Sequence, residues 1–96
     1  CTGCVCYNDE VAVSLVAICK KNNIRVPEQL SIVSIDDSDM AAGCEVPLTS
    51  VAYPITELGE KAAKNLLHLI ENEKFDASYD FTPTLTVRES VKKLKA

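Results

Sequence analysis

The chain has 96 residues, 47% of them apolar, and a formal net charge of −4. That balance suits one small globular core, excludes a disordered chain, and leaves no concentrated basic face for direct contact with nucleic-acid phosphates. No apolar run approaches the roughly 18 residues of a membrane-spanning helix, and the opening residues do not resemble a secretory leader.

The chain starts at Cys1 with strand character and no initiator methionine, which suggests a piece of a longer protein. Gly3 to Tyr7 is predicted as a strand. Asn8 and Asp9 then suit a helix start, because a side-chain oxygen can accept from an orphan N–H of the first turn. Val11, Leu15 and Cys19, widened by Ala12, Val16 and Ile18, predict an amphipathic helix ending near Asn22 and Asn23. Pro27 forbids its continuation. The short branched run Leu30, Ile32, Val33, Ile35 reads as a buried parallel strand, followed by the polar cluster Asp36, Asp37, Ser38, Asp39 and a brief helical turn over 40–42. Gly43 and Pro47 mark loop, and residues 48–53 a further short strand.

Pro54 suits a helix entrance. Ile55, Leu58, Ala62, Ala63, Leu66, Leu67 and Ile70 form the apolar face of a second long helix. On its other side Glu57 and Lys61, and Glu60 and Lys64, stand in favourable i,i+4 order. Residues 72–80 are loop-like, Leu85 and Val87 alternate with Thr84, Thr86 and Arg88 in a half-buried strand, and 91–96 is a basic tail. This order predicts an α/β fold with a mainly parallel sheet.

Five cysteines, Cys1, Cys4, Cys6, Cys19 and Cys44, are an odd number among apolar neighbours, which fits reduced thiols in a cytoplasmic protein better than a disulfide framework. A zinc site needs a second ligand pair at matching spacing, and the sequence supplies none beside Cys1, Cys4 and Cys6. No metal ligand or catalytic residue is assigned. Glycine-rich phosphate loops, GxSxG and HExxH are missing, and His68 sits on a helix between Leu67 and Leu69 without a partner that would make it a base.

Chemistry is expected where parallel strands end, since ligands of open α/β sheets bind beyond the C-terminal strand edge. Asn8-Asp9 and Asp36-Asp37 occupy equivalent places after the first and second strands. Carboxylate and amide groups together can clasp the adjacent hydroxyls of a sugar. The same residues are equally suited to being a helix cap and a solvated acidic turn.

Six stretches carry a resemblance: Tyr-Asn-Asp-Glu-Val-Ala at 7–12, Ile-Arg-Val-Pro-Glu at 24–28, Ser-Ile-Val-Ser-Ile-Asp-Asp-Ser-Asp at 31–39, Pro-Leu-Thr-Ser-Val at 47–51, Glu-Leu-Gly-Glu-Lys-Ala-Ala at 57–63, and Pro-Thr-Leu-Thr-Val-Arg-Glu-Ser at 83–90. In this order they resemble the C-terminal part of the effector domain of the lactose and galactose repressor family, with most similarity to its arabinose-type repressors. The resemblance implies a periplasmic-binding-protein-like fold of two lobes closing on a pentose or hexose, with 1–50 and 84–96 in the C-terminal lobe and 51–83 in the N-terminal lobe. It implies a DNA-binding domain upstream, through which alone the protein would contact operator DNA, and no cofactor.

Asn8 and Asp36 match the family's sugar-hydroxyl ligands. Tyr7 and Tyr53 are weaker candidates for pocket walls, core packing being the other role open to each ring. Ala12, Leu15, Val16 and Cys19, with Cys44, Val46 and Pro47, match its dimer contact. The family has glycine where this chain has Ser34, which should restrict the backbone before the acidic pair. A secreted, monomeric transport receptor of the same fold is the alternative, which the odd cysteine and the basic tail disfavour. A fragment of this kind is expected to self-associate through the faces its missing parts would cover.

Overall fold

A computed structural model describes residues 1–94; Lys95 and Ala96, the end of the expected basic tail, lie outside the described residues. The elements are β1 (Gly3–Val5), α1 (Asp9–Lys21), β2 (Ser31–Asp36), α2 (Asp39–Gly43), β3 (Thr49–Ala52), α3 (Ile55–Glu71) and β4 (Thr84–Thr86). They form two compact units, Cys1–Ala52 with Thr84–Ala96, and Tyr53–Pro83.

The first unit holds a single sheet in the order β1-β2-β3-β4. β1 pairs with β2, and β2 with β3, in parallel, whereas β4 returns antiparallel to β3. The expected α/β fold with a mainly parallel sheet is present. Ile32 and Leu48 are fully buried at its centre, with Cys6, Ala12, Val16 and Ala41 packed around them. Helix α1 therefore turns Ala12, Val16 and Cys19 inward, while Val11 and Ile18 of the expected apolar stripe remain exposed. The buried line runs 9, 12, 16, 19, with Asp9 as its first member.

Five polar residues, Asp9, Ser34, Thr49, Ser50 and Ser90, are buried alongside this small apolar core. Each must find partners, because an unpaired buried polar group costs about 1–3 kcal/mol. Ser90 shows how they do so: its hydroxyl donates to the Ile32 carbonyl and accepts from the Thr49 amide at 2.8 Å, and its own carbonyl accepts from the Ile32 amide. Arg88 adds a bond from its amide to the Thr49 hydroxyl. The C-terminal segment is thus stitched across β2 and β3. Ser90→Ala should lower stability by about 1–3 kcal/mol, read as a reduced urea midpoint of the full-length protein.

The last strand corrects the expected pattern. Leu85 and Val87 are exposed at 56% and 68%, and it is Thr86, Arg88 and Ser90 that turn inward. A strand has period two, so the face is decided by whichever alternate set finds partners, and here the polar set does. Burial also governs the thiols. Cys6 and Cys19 are buried, Cys4 and Cys44 half-buried and Cys1 exposed, all unpaired. Burial, reinforced by the adjacent Cys4, pushes the Cys6 thiol up to about 11, so at neutral pH it is an inert core group.

In the second unit, α3 buries none of its residues fully, and Ile55, Leu66, Leu67 and Ile70 are exposed. Its partner is the irregular segment after it. Asn65 donates to the Ala77 carbonyl at 3.1 Å, His68 stacks on Phe75, and the Lys61 ammonium lies over the Tyr79 ring. A hydrogen bond between Glu57 and the Tyr79 hydroxyl holds that phenol above its ordinary value. Glu57 and Lys61 thus both engage Tyr79, and the expected i,i+4 ion pairs are not among the salt bridges of the described residues.

Candidate ligand-binding site

Parallel pairing brings the ends of β1 and β2 to one edge of the sheet. The loop after β1 carries Tyr7 and Asn8; the turn after β2 carries Asp36, Asp37 and Ser38. Asn8 is the N-cap of α1, its side-chain oxygen accepting from the Val11 amide at 2.9 Å. Capping occupies that oxygen and leaves the amide NH₂ as a donor. Both sequence readings of Asn8 can therefore hold at once. Asp36 closes β2 with its side chain exposed, as the loop alternative also allowed.

Asp9 was legible as a second helix starter and as part of the polar cluster after the first strand, and its buried position is the main addition from the structure. Its carboxylate is 2% exposed. One oxygen accepts from the Ser34 and Ser50 hydroxyls, the other from the amide and hydroxyl of Ser38 at 2.6 and 2.7 Å. Burial would raise its pKa, but the bonds from Ser34, Ser38 and Ser50 together outweigh it and hold the carboxyl below its ordinary value. Ser34, expected to restrict the backbone where the family has glycine, takes no positive φ and instead supplies one of these donors.

The turn that Asp9 grips is strained. Asp36 and Asp37 have φ of 119° and 51°, a region L-residues avoid at a cost on the order of 1–3 kcal/mol each. Asp37 is tied from three sides. Its amide donates to the Ser50 hydroxyl at 2.9 Å, Thr86 donates to its Oδ2, and the Arg88 guanidinium stands 2.7 Å from Oδ1. That last contact is an ion pair: Oδ1 accepts no aligned hydrogen bond, and the same Arg88 nitrogen also donates to the Leu48 carbonyl. Arg88 and Thr86, read from sequence as routine strand positions, belong to this site.

Tyr7 is 83% exposed, so core packing is excluded for it. Tyr53 opens the second unit, half-buried with its ring edge-on to Phe81 at 5.7 Å. The residues expected at the dimer contact divide by burial. Ala12, Val16 and Cys19 are 0%, 4% and 2% exposed because they fill their own unit's core, and such residues have almost no surface to offer a second copy. Leu15, Cys44, Val46 and Pro47 are half-buried. A groove of about 450 Å³ lies beside Val46, lined also by Lys20, Ile24 and Arg25, away from the acidic turn.

Parallel strands that end in a shared polar rim, with hydrogen-bonding side chains on adjacent loops, are the architecture in which open α/β domains place their ligand sites. Residues 2–91 match the periplasmic binding protein-like domain, and the chain belongs to that family. It is 43% identical to the arabinose metabolism transcriptional repressor of Halalkalibacterium halodurans, over 99% of this chain and 27% of the repressor. Among solved structures it is similar to the transcriptional regulator CelR in complex with cellobiose, at 29% identity and a TM-score of 0.85, covering 93% of this chain and 28% of that one. A LacI-family regulator from Enterococcus faecium with bound ribose is 33% identical, with a TM-score of 0.83 over 98% of this chain and 35% of that one. The chain spans about a quarter of the length of the curated relatives it matches. Among the described residues no helix is long and apolar enough to cross a membrane.

Proposed function

We propose that this chain is part of the effector domain of a cytoplasmic bacterial transcriptional regulator, and that it binds a pentose or hexose through Asn8 and Asp36. The observation that carries the reading is the exposed Asp36 carboxylate, a multiple acceptor, presented at the strand-end edge next to a loop whose Asn8 amide is a free donor. The two loops are joined directly by the bonds from Ser38 to Asp9. Sugar capture would bias the regulator between two conformations and so change operator binding by a DNA-binding domain elsewhere in the protein. Binding, not catalysis, is the chain's role. Titrating the full-length protein with L-arabinose, D-ribose, D-galactose and cellobiose tests the reading, which expects heat from at least one of them.

Dimerisation belongs to the same proposal. With Ala12, Val16 and Cys19 withdrawn into the core, the contact would fall on the exposed Val11 and Ile18 with Leu15, Val46 and Pro47. The isolated 96-residue chain also exposes Val5, Tyr7 and Ile70, each more than 70%. Sedimentation of that chain should show self-association, and a monodisperse monomer would contradict it.

A further inference from the structure

We propose that Asp37, Ser38 and Arg88, braced by the buried Asp9, are positioning residues that set the direction of the Asp36 carboxylate and thereby control sugar affinity without touching the sugar. The inference rests on the reading of Asp36 as a sugar ligand and goes beyond it, since it assigns control of the site to residues behind it.

Two consecutive non-glycine residues at positive φ do not hold that shape unaided. The chain on the far side of the turn is fixed by Ser38, whose amide and hydroxyl both reach one oxygen of Asp9. The middle is fixed by Asp37, whose amide bonds Ser50; the Ser50 hydroxyl in turn donates to the other oxygen of Asp9. Its carboxylate is held by Arg88 and Thr86. The near side is β2 itself, where Asp36 is in register with Ala52.

Every neighbour of Asp36 in the turn is therefore restrained, while the exposed Asp36 side chain makes no hydrogen bond among the described residues, its backbone alone being paired in the ladder with β3. Such an arrangement spends its hydrogen bonds on aiming one open acceptor. Arg88 also donates to the carbonyl of Leu48, the residue before β3, so together with Thr86 it ties the C-terminal segment to the turn.

The test uses the full-length protein, titrated calorimetrically with L-arabinose and D-ribose, with D-galactose and cellobiose as further probes. Asp37→Asn keeps the preference for positive φ and the shape but loses the ion pair with Arg88. Ser38→Ala removes one of two bonds to Asp9. Each should weaken Kd by roughly tenfold, the size expected for one misaligned charge-assisted hydrogen bond. The discriminating readout is a double-mutant cycle: in an Asp36→Asn background the same substitutions should change Kd by less than about twofold, because they act through the Asp36 charge.

Equal losses in both backgrounds would reveal a merely structural role and overturn the proposal. Unchanged Kd for both variants, with Asp36→Asn weakened, would overturn it too. Wild-type affinity in Asp36→Asn, or no binding of any probe by the wild type, would instead bring down the sugar-ligand reading itself and the brace with it. Urea midpoints of each variant confirm that the comparison is between folded proteins.

Discussion

Asp36→Ala in the full-length protein should abolish the response of operator binding to sugar while leaving operator binding itself intact. The Asp36 side chain is exposed and makes no hydrogen bond among the described residues, so its removal leaves no buried group unpaired and should change stability by no more than about 1 kcal/mol, the part due to placing alanine at this positive φ. The loss should therefore be functional. A carboxylate that accepts from sugar hydroxyls contributes about 1.5–3 kcal/mol for each bond to a charged group, and two such bonds correspond to a fall in affinity beyond a hundredfold. The measurement is operator release against sugar concentration, by fluorescence anisotropy of labelled DNA. Release at the wild-type midpoint would remove Asp36 from the site.

Asp9→Ala should have the opposite character, a large loss of stability. It takes away the acceptor of four donated hydrogen bonds in a buried place, and the groups left behind include the Ser34 and Ser50 hydroxyls and the Ser38 amide. The expected cost is about 3–5 kcal/mol. Asp9→Asn should cost less, since its carbonyl can serve the Ser38 amide while its NH₂ donates to the serine oxygens.

The sign of the pH effect follows from the direction of the shift. Because Asp9 is held below the ordinary aspartate value of 3.8, its contribution is complete above that value and is lost as pH falls through the lower value of the folded chain. Urea midpoints of wild type and Asp9→Asn should therefore converge in acid and differ most at neutral pH. A constant difference across that range would show that Asp9 is not ionised in the folded protein.

These two aspartates show what could be read from sequence and what could not. Helix and strand order followed from local rules: Asn8 at a cap, Pro27 after a helix, branched residues at 32–35. Each of these acts over a few residues. The rim position of Asp36 was also legible, because a polar cluster after a buried parallel strand has few other places to be.

Asp9 is different. Nothing local distinguishes a capping acid at a helix start from one that collects hydroxyls from residues 34, 38 and 50, since those partners are brought together only by the sheet. The serines were a faint signal, three hydroxyls inside or just after the two central strands, where apolar residues are the norm. Arg88 and Thr86 were missed for the same reason. The apolar Leu85 and Val87 pointed to the wrong face, because hydrophobic alternation cannot register a half-buried acid in the turn after β2. On α1, apolar residues encircle more than one face, and periodicity could not tell the core line from the exposed Val11 and Ile18.

Direct calorimetric titration of the full-length protein with a panel of pentoses and hexoses, run in parallel on wild type and Asp36→Ala, decides whether Asp36 holds a sugar. Saturable binding of at least one sugar by the wild type, and none by the variant, is expected. Equal binding by both proteins, or no binding by either, would contradict it.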